Sequence, residues 1–473
     1  MVRRLFTGGR ARRVATPLLA VAVFGALVAG PAAPPASPAA AQTAGLGSGG
    51  EYHPLTPARI YDTRYPALDS APAGAKPVTT GAGSTFDVQL LGRGGIPTSA
   101  ANVLAVVLNV TVADTSRSGY LSIWGKGASA STSSLINFSA GQNVPNVAIV
   151  RPGSNGQATI KLVSEQASNG AANVIVDVFG WISTSSYGTN GARLIPVGPG
   201  RIFDSRQPQF NGGQPLGTGA VVTIDGRGAD SVSPPATDIV PNDASIVGLV
   251  LNVTSVNTAP GSTSTYVSVL PNAPGGPPST SNLNVVGGQI KANLVIVPVG
   301  SDGKLRLFNE AGANHLIVDV MGVLRTGVSP STRTGRIIPL ESPFRAFDTR
   351  QGEFGAAPLP AGQAEDWSFR DFANSVTSAG APIGNQSALL GNLTATGLKR
   401  VFPNVGVTSY LTVYPPPARP ETSNLNIVEG ASVPNMSLIR YGTSGSDPYT
   451  VRVFNFDGSL HYIVDVAAVV LAD

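Results

Sequence analysis

The chain has 473 residues, of which 56 are Gly and 39 are Pro, and regular helix interiors exclude both, so a helical bundle is ruled out. Charged residues make up only 12% against 42% hydrophobic, which excludes disorder driven by charge, and the length suits two to four domains at ~100 to 200 residues each. The formal charge of +4 lies in the first 41 residues, which hold five Arg and no acid and leave the remainder at −1, so bulk charge gives no support to nucleic-acid binding.

That opening segment reads as a secretory signal peptide. Arg3, Arg4, Arg10, Arg12 and Arg13 precede an apolar run over residues 14–29, and a Pro/Ala-rich stretch then ends in Ala39-Ala40-Ala41. Cleavage is expected after Ala41. A retained anchor is the second reading, because the apolar run is shorter than the ~20 residues a span needs. No later stretch is long enough to cross a bilayer, so no membrane span is expected after cleavage. Cysteine is absent, which removes disulfides, thiolate metal sites, cysteine nucleophiles and a lipoprotein anchor.

Past the leader, short apolar runs alternate with Gly, Pro, Asn and Asp clusters, as at residues 103–112, 120–124, 147–150, 158–163 and 173–181. They predict strands. Five landmarks then recur three times in one order. The opening motif Arg59-Ile60-Tyr61-Asp62-Thr63-Arg64 returns as Arg201 to Arg206, with Asp204, and as Arg345 to Arg350, with Asp348, at steps of 142 and 144 residues. An Asn-x-Thr-type position follows at Asn109, Asn252 and Asn392, and alternating runs begin at Tyr120, Tyr266 and Tyr410. Next come Asn137, Asn284 and Asn426, each followed nine residues on by Asn146, Asn293 or Asn435. A Val-Asp-Val at Asp177, Asp319 and Asp465 closes each copy. The reading is an all-β protein of three tandem β-sandwich or jelly-roll-like modules at 52–182, 193–325 and 336–473, each of eight to ten strands and joined by short Ser/Thr/Gly-rich linkers.

These landmarks resemble a module found repeatedly, often in tandem, in secreted and cell-surface proteins of actinobacteria and related bacteria. Its pattern is Pro-x-Arg-x-x-Asp-Thr-Arg, Asn-x-Thr, Ser-Asn-Leu-Asn and Val-Asp-Val-x-Gly-Tyr, and the resemblance covers residues 52–473. Departures are Ser134-Leu135-Ile136-Asn137 in the first copy, Ser205 for Thr in the second, Ala468 for Gly in the third, and Trp181 and Val323 at the closing aromatic position of the first and second. What the resemblance implies is an exported surface module. It carries no activity with it.

Strand alternation would put Asp62 and Arg64 on one face and Arg59 on the other, and likewise Asp204 and Arg206 against Arg201, and Asp348 and Arg350 against Arg345. The Asp of each Val-Asp-Val stands in an apolar run, where a carboxylate needs a partner. An Arg of the opening motif is expected to supply it, as a fork tying the first strand of a module to its last. The repeated Asn residues are expected to satisfy backbone groups at strand ends and turns. Asn109 is expected to lie in a core strand that has no room for a glycan.

Histidine occurs only at His53, His315 and His461, too few for a zinc triad or a repeated Ser-His-Asp, and no cofactor or metal is expected. No Gly-rich loop opens a helix, so a nucleotide site is not expected. Binding hardware would be aromatics on loops. Phe210 before Asn211-Gly212-Gly213, and Phe354 before Gly355, are the ligand-binding candidates. Together these features suggest a secreted or cell-surface, non-enzymatic binding or adhesion protein, with extracellular polysaccharide or cell wall as its partner and with self-association open. The alternatives are a structural component of the envelope or extracellular matrix and, third, a glycan-active hydrolase.

Overall fold

The computed structural model describes residues 3–5, 49–65, 78–80, 84–164, 170–187, 191–256, 264–351, 357–375, 377–378, 381–382, 385–400 and 407–473. Residues 1–41, read as a leader, fall outside these except for Arg3–Leu5, a short strand beside residues 366–368. Among the described residues no helix is long and apolar enough to cross a membrane.

The fold is all-β and its sheets are antiparallel. Tyr52–Asp62, Gly170–Ser183, Val103–Ala113 and Val144–Val150 run in that order in one sheet, where Val78–Thr80 also pairs with the start of Gly170–Ser183, and Ser84–Gln89, Gln157–Ser164, Gly119–Gly125 and Ile136–Phe138 form a second. The same order recurs twice. Arg193–Asp204, His315–Arg325, Ile246–Val256 and Ile290–Pro298 face Val221–Asp225, Lys304–Asn309, Thr265–Leu270 and Leu283–Val285. Ile337–Asp348, Ser459–Leu471, Gln386–Lys399 and Ser432–Arg440 face Ala364–Ser368, Asp447–Asn455, Thr408–Tyr414 and Leu425–Val428. We call the first sheet of each unit inner and the second outer.

Val103–Ala113 is buried at every position, and its period of two explains how. Val106, Leu108, Val110 and Val112 pack with Leu121, Ile160 and Leu162 in the core between the two sheets. Ala105 and Val107 face the other way, into a second core shared with Val250, Leu294 and Ile296 of the second unit and Leu438 of the third. A continuous apolar strand is what burial on both faces demands. The edge strands Val144–Val150, Ile290–Pro298 and Ser432–Arg440 each touch the other two, so the inner sheets surround a pseudo-threefold axis. Phe179 and Met321 also fill this shared core, and each buried side chain of that size contributes ~1.5 to 3 kcal/mol relative to exposure.

A ring of backbone hydrogen bonds closes the same arrangement where the three units begin. Tyr52 N–H donates to Ala192 O at 2.8 Å, Leu194 N–H to Gly335 O at 2.8 Å, and Ile337 N–H to Gly50 O at 2.9 Å. Equivalent positions beside these bonds carry Glu51, Arg193 and Arg336. Arg193 is fully buried, and its guanidinium donates to Glu51 Oε1 at 2.8 Å and to the carbonyls of Thr332 and Thr334 at 3.1 and 2.9 Å. Glu51 also lies 3.9 Å from the Arg336 guanidinium, and Asp473 Oδ1 accepts from Arg333 N–H at 2.9 Å.

Candidate functional site

The recurrent charged residues gather into one cluster per unit. Arg59 donates from Nε to Asp177 Oδ1 at 2.9 Å and from Nη1 to Asp62 Oδ2 at 3.2 Å, while Arg64 grips Asp62 at 2.9 and 2.8 Å. Arg201, Asp204, Arg206 and Asp319 repeat it, with Arg201 Nε 2.9 Å from Asp319 Oδ1. Arg345, Asp348, Arg350 and Asp465 do so again, with 2.9 Å from Arg345 Nε to Asp465 Oδ1. Simple alternation had separated Arg59 from Asp62. A bulge overrides it, because Tyr61 pairs with Val176 and Arg59 with Asp177, leaving Ile60 as an extra residue. Ile202 and Ala346 occupy the same bulge in the other units.

Electrostatics in the clusters follow burial. Desolvation pushes the Asp177 and Asp465 carboxyls up, and Asp319 up to about 6, against the bonds from their arginines. Asp204 and Asp348 go the other way: desolvation acts upward on both, but the hydrogen bonds and charge of Arg206 and Arg350 outweigh it.

Asp177 lies beside Asn109 across the inner sheet, and Asn109 reaches out of its unit. Its Nδ2 donates to Ser281 O at 2.9 Å, and its Oδ1 accepts from Asn293 Nδ2 at 3.2 Å. Asn252 and Asn435 repeat the link between the second and third units at 2.9 Å, and Asn392 and Asn146 between the third and first at 2.9 Å. These residues lie within strands and not at strand ends or turns, although they do satisfy backbone carbonyls. Asn109 is completely buried and leaves no space for a glycan.

Ser205 Oγ and His315 Nδ1 are 3.0 Å apart, and Thr349 Oγ1 and His461 Nδ1 3.2 Å, while Thr63 Oγ1 donates to Asn173 Oδ1 at 2.8 Å. The hydroxyls also accept from the backbone N–H of Leu316, Tyr462 and Val174. Ser205 is fully buried, and its pair with His315 ties the first strand of the unit to its last. His53 stacks on Trp181 at 4.1 Å, and its imidazole pKa is lowered by burial. Among the described residues no group of acids and histidines could hold a metal ion.

Phe210 lines an open cleft of about 420 Å³ on the second unit. Its ring leans on buried Phe203 at 5.3 Å between centroids. Ile202, Ile224 and Val232 supply the rest of the apolar wall, and Gln209, Asn211, Thr223, Asp225 and Asp230 bring polar groups to it. Asp225 is paired with the Lys304 ammonium, and Asp230 Oδ1 accepts from Asp238 N–H at 2.8 Å. That bond comes from a hairpin of Ala229–Val232 and Pro235–Val240 forming one side of the cleft. Asp225 and Asp230 escaped the sequence reading. The available signal was spacing, since 27 residues separate Asp225 from Asn252 where 20 separate Gln89 from Asn109. Phe354 lies outside the described residues. Trp124, Trp367, Phe372 and Tyr414 are buried and Tyr187 packs edge-on against His53 and Trp181, whereas Phe210 borders the cleft.

No family model matches the chain, and no curated protein does. Among solved structures, the tandem CBM22-1-CBM22-2 domain of Paenibacillus barcinonensis Xyn10C is 11% identical, with 57% of this chain and 99% of that one covered and a TM-score of 0.16. A structure of Sulfolobus Turreted Icosahedral Virus is 10% identical over 88% of this chain and 99% of that one, with a TM-score of 0.17. A triple jelly roll of an archaeal virus turret is 10% identical over 88% and 98%, with a TM-score of 0.14. Scores this low carry no weight for function.

Proposed function

We propose that the protein is a secreted, surface-associated, non-enzymatic binding protein that recognises polysaccharide, built of three β-sandwich units of jelly-roll type. The cleft beside Phe210 carries the reading. An aromatic face flanked by amides, a hydroxyl and carboxylates suits a sugar ring, whose C–H faces stack and whose hydroxyls need donors and acceptors, and the volume is that of a small-ligand site. The repeated acids support a non-enzymatic role, since Asp62, Asp177 and their counterparts are held by arginines. The contacts among units lie within one chain, so they supply no link between molecules of the sort an envelope lattice would need.

Co-sedimentation of the protein with insoluble polysaccharides and cell walls tests the reading, with light scattering in parallel. Saturable binding that weakens about tenfold in Phe210→Ala is expected. Equal binding by the variant sinks the cleft as the site, and ordered assembly without any ligand favours the structural alternative. Recovery from the medium with an N-terminus at Gln42 is the expected sign of export.

A further inference from the structure

A second surface stands apart from the cleft, on the outward face of the third unit's outer sheet. Tyr410 and Phe456 stack there with ring centroids 4.6 Å apart and 15° between planes, and Phe456 is 52% exposed. Next to them the Arg419 guanidinium sits 3.9 Å over the Phe454 ring.

The other units act as internal controls. Phe456 N–H donates to Tyr410 O at 3.1 Å, and Glu310 N–H donates to Tyr266 O at the same 3.1 Å, so Glu310 is the counterpart of Phe456. The fold does not need an aromatic at that position. Asn426 pairs with Tyr410 across the strands, and its Nδ2 is shielded from solvent without a hydrogen-bond partner. Asn137 and Asn284, its counterparts, each donate to a serine hydroxyl at 3.1 Å. Arg452 is paired with Asp366, whereas the exposed Arg419 has no carboxylate at ion-pair distance among the described residues.

We propose that this face binds an acidic, uronate-bearing polysaccharide. Phe456, backed by Tyr410, offers an exposed ring for one face of a pyranose. Arg419 supplies the cation that a uronate carboxylate matches. The site rests on the reading that the protein binds polysaccharide but is independent of the Phe210 cleft.

Affinity electrophoresis of the full chain through gels containing polygalacturonate, neutral xylan or no polymer tests it. Retardation by polygalacturonate is expected, weakened about tenfold in Phe456→Glu, which installs the second unit's own residue and so spares the fold. Arg419→Gln, at an exposed position, should weaken it too and remove much of its salt sensitivity. Phe210→Ala, which disables the cleft, separates the two sites: retardation that persists in it and falls in Phe456→Glu comes from this face. No retardation by polygalacturonate overturns the proposal, as does an unchanged Phe456→Glu variant with a native melting curve. Retardation lost in Phe210→Ala and kept in Phe456→Glu would assign acidic glycan to the cleft, and equal retardation by xylan would overturn the uronate class; both leave polysaccharide binding itself standing.

Discussion

Asn109 Oδ1 accepts a hydrogen bond from Asn293 Nδ2 although 184 residues separate them. Asn252 with Asn435, and Asn392 with Asn146, complete a cycle in which each unit is bonded to both of its neighbours. Buried amide pairs of this kind are costly to half-satisfy, so they fix one arrangement of the units against others of similar apolar burial.

Asn435→Ala should therefore destabilise the whole chain. It leaves Asn252 Oδ1 and Asn424 O without their donor, at ~1 to 3 kcal/mol per unsatisfied group. Differential scanning calorimetry should show one cooperative transition in the native protein and a lower midpoint in the variant. Separate transitions for the three units would contradict a shared core.

Removing Asp319 takes from Arg201, whose side chain is 11% exposed, its shortest carboxylate contact and leaves it Asp204 Oδ2 at 3.5 Å and Glu421 O at 2.9 Å. Asp319→Ala should cost ~1.5 to 3 kcal/mol, because a charged hydrogen bond is lost while Asp204 still balances the cation. Replacing both residues with Leu and Met should recover much of that loss. A melting temperature unchanged in the single variant would show that the fork does not hold the first strand to the last.

The same carboxyl predicts a pH dependence of unusual sign. Its folded pKa, about 6, lies above the ~3.9 of an unfolded Asp, so the native state binds more protons between those values and stability falls as pH rises through them. Measured against Asp319→Asn, which cannot titrate, the native protein should lose relative stability from pH 4 to 6 and level off above. A flat difference curve would rule this out.

Lys291 is the counterpart of Val144 and Val433, each two residues before an interlocking Asn. Lys291 is half-buried, and its ammonium donates to Asn143 O at 2.7 Å and Asn284 O at 3.3 Å. Desolvation pulls its pKa down to about 7, well below the ~10.4 of an unfolded lysine. The cost of burying the charge is fully present below pH 7 and is relieved as pH rises toward 10, where only the unfolded chain stays protonated. Lys291→Val should raise the melting temperature most at pH 7 or below, with the gain shrinking by pH 10; a gain independent of pH would point to packing alone.

The strands were legible because Val103–Ala113 and its counterparts are apolar, short and bounded by turn residues. The bulge at Ile60 was not, since alternation assumes one residue opposite one partner, and nothing in Arg59-Ile60-Tyr61 marks the exception. Asn109 was legible as a core-strand residue, but its partner in another unit was not, for a related reason. A period of two shows that both faces of a strand are buried but not what buries them, and here the second cover is another unit. Phe210 could be picked out by its neighbouring turn, whereas Asp230 required the hairpin to fold back beside it.

The closing of the backbone ring has a topological consequence. Gly49 packs within reach of Arg336 and Leu471, and Gly335 N–H donates to Leu471 O at 2.9 Å, so the end of the last unit meets the start of the first. The chain is a necklace whose clasp could sit at any of three places. A permuted chain that joins residue 473 to residue 49 and opens between residues 184 and 191 would keep every interlocking asparagine and both members of each fork.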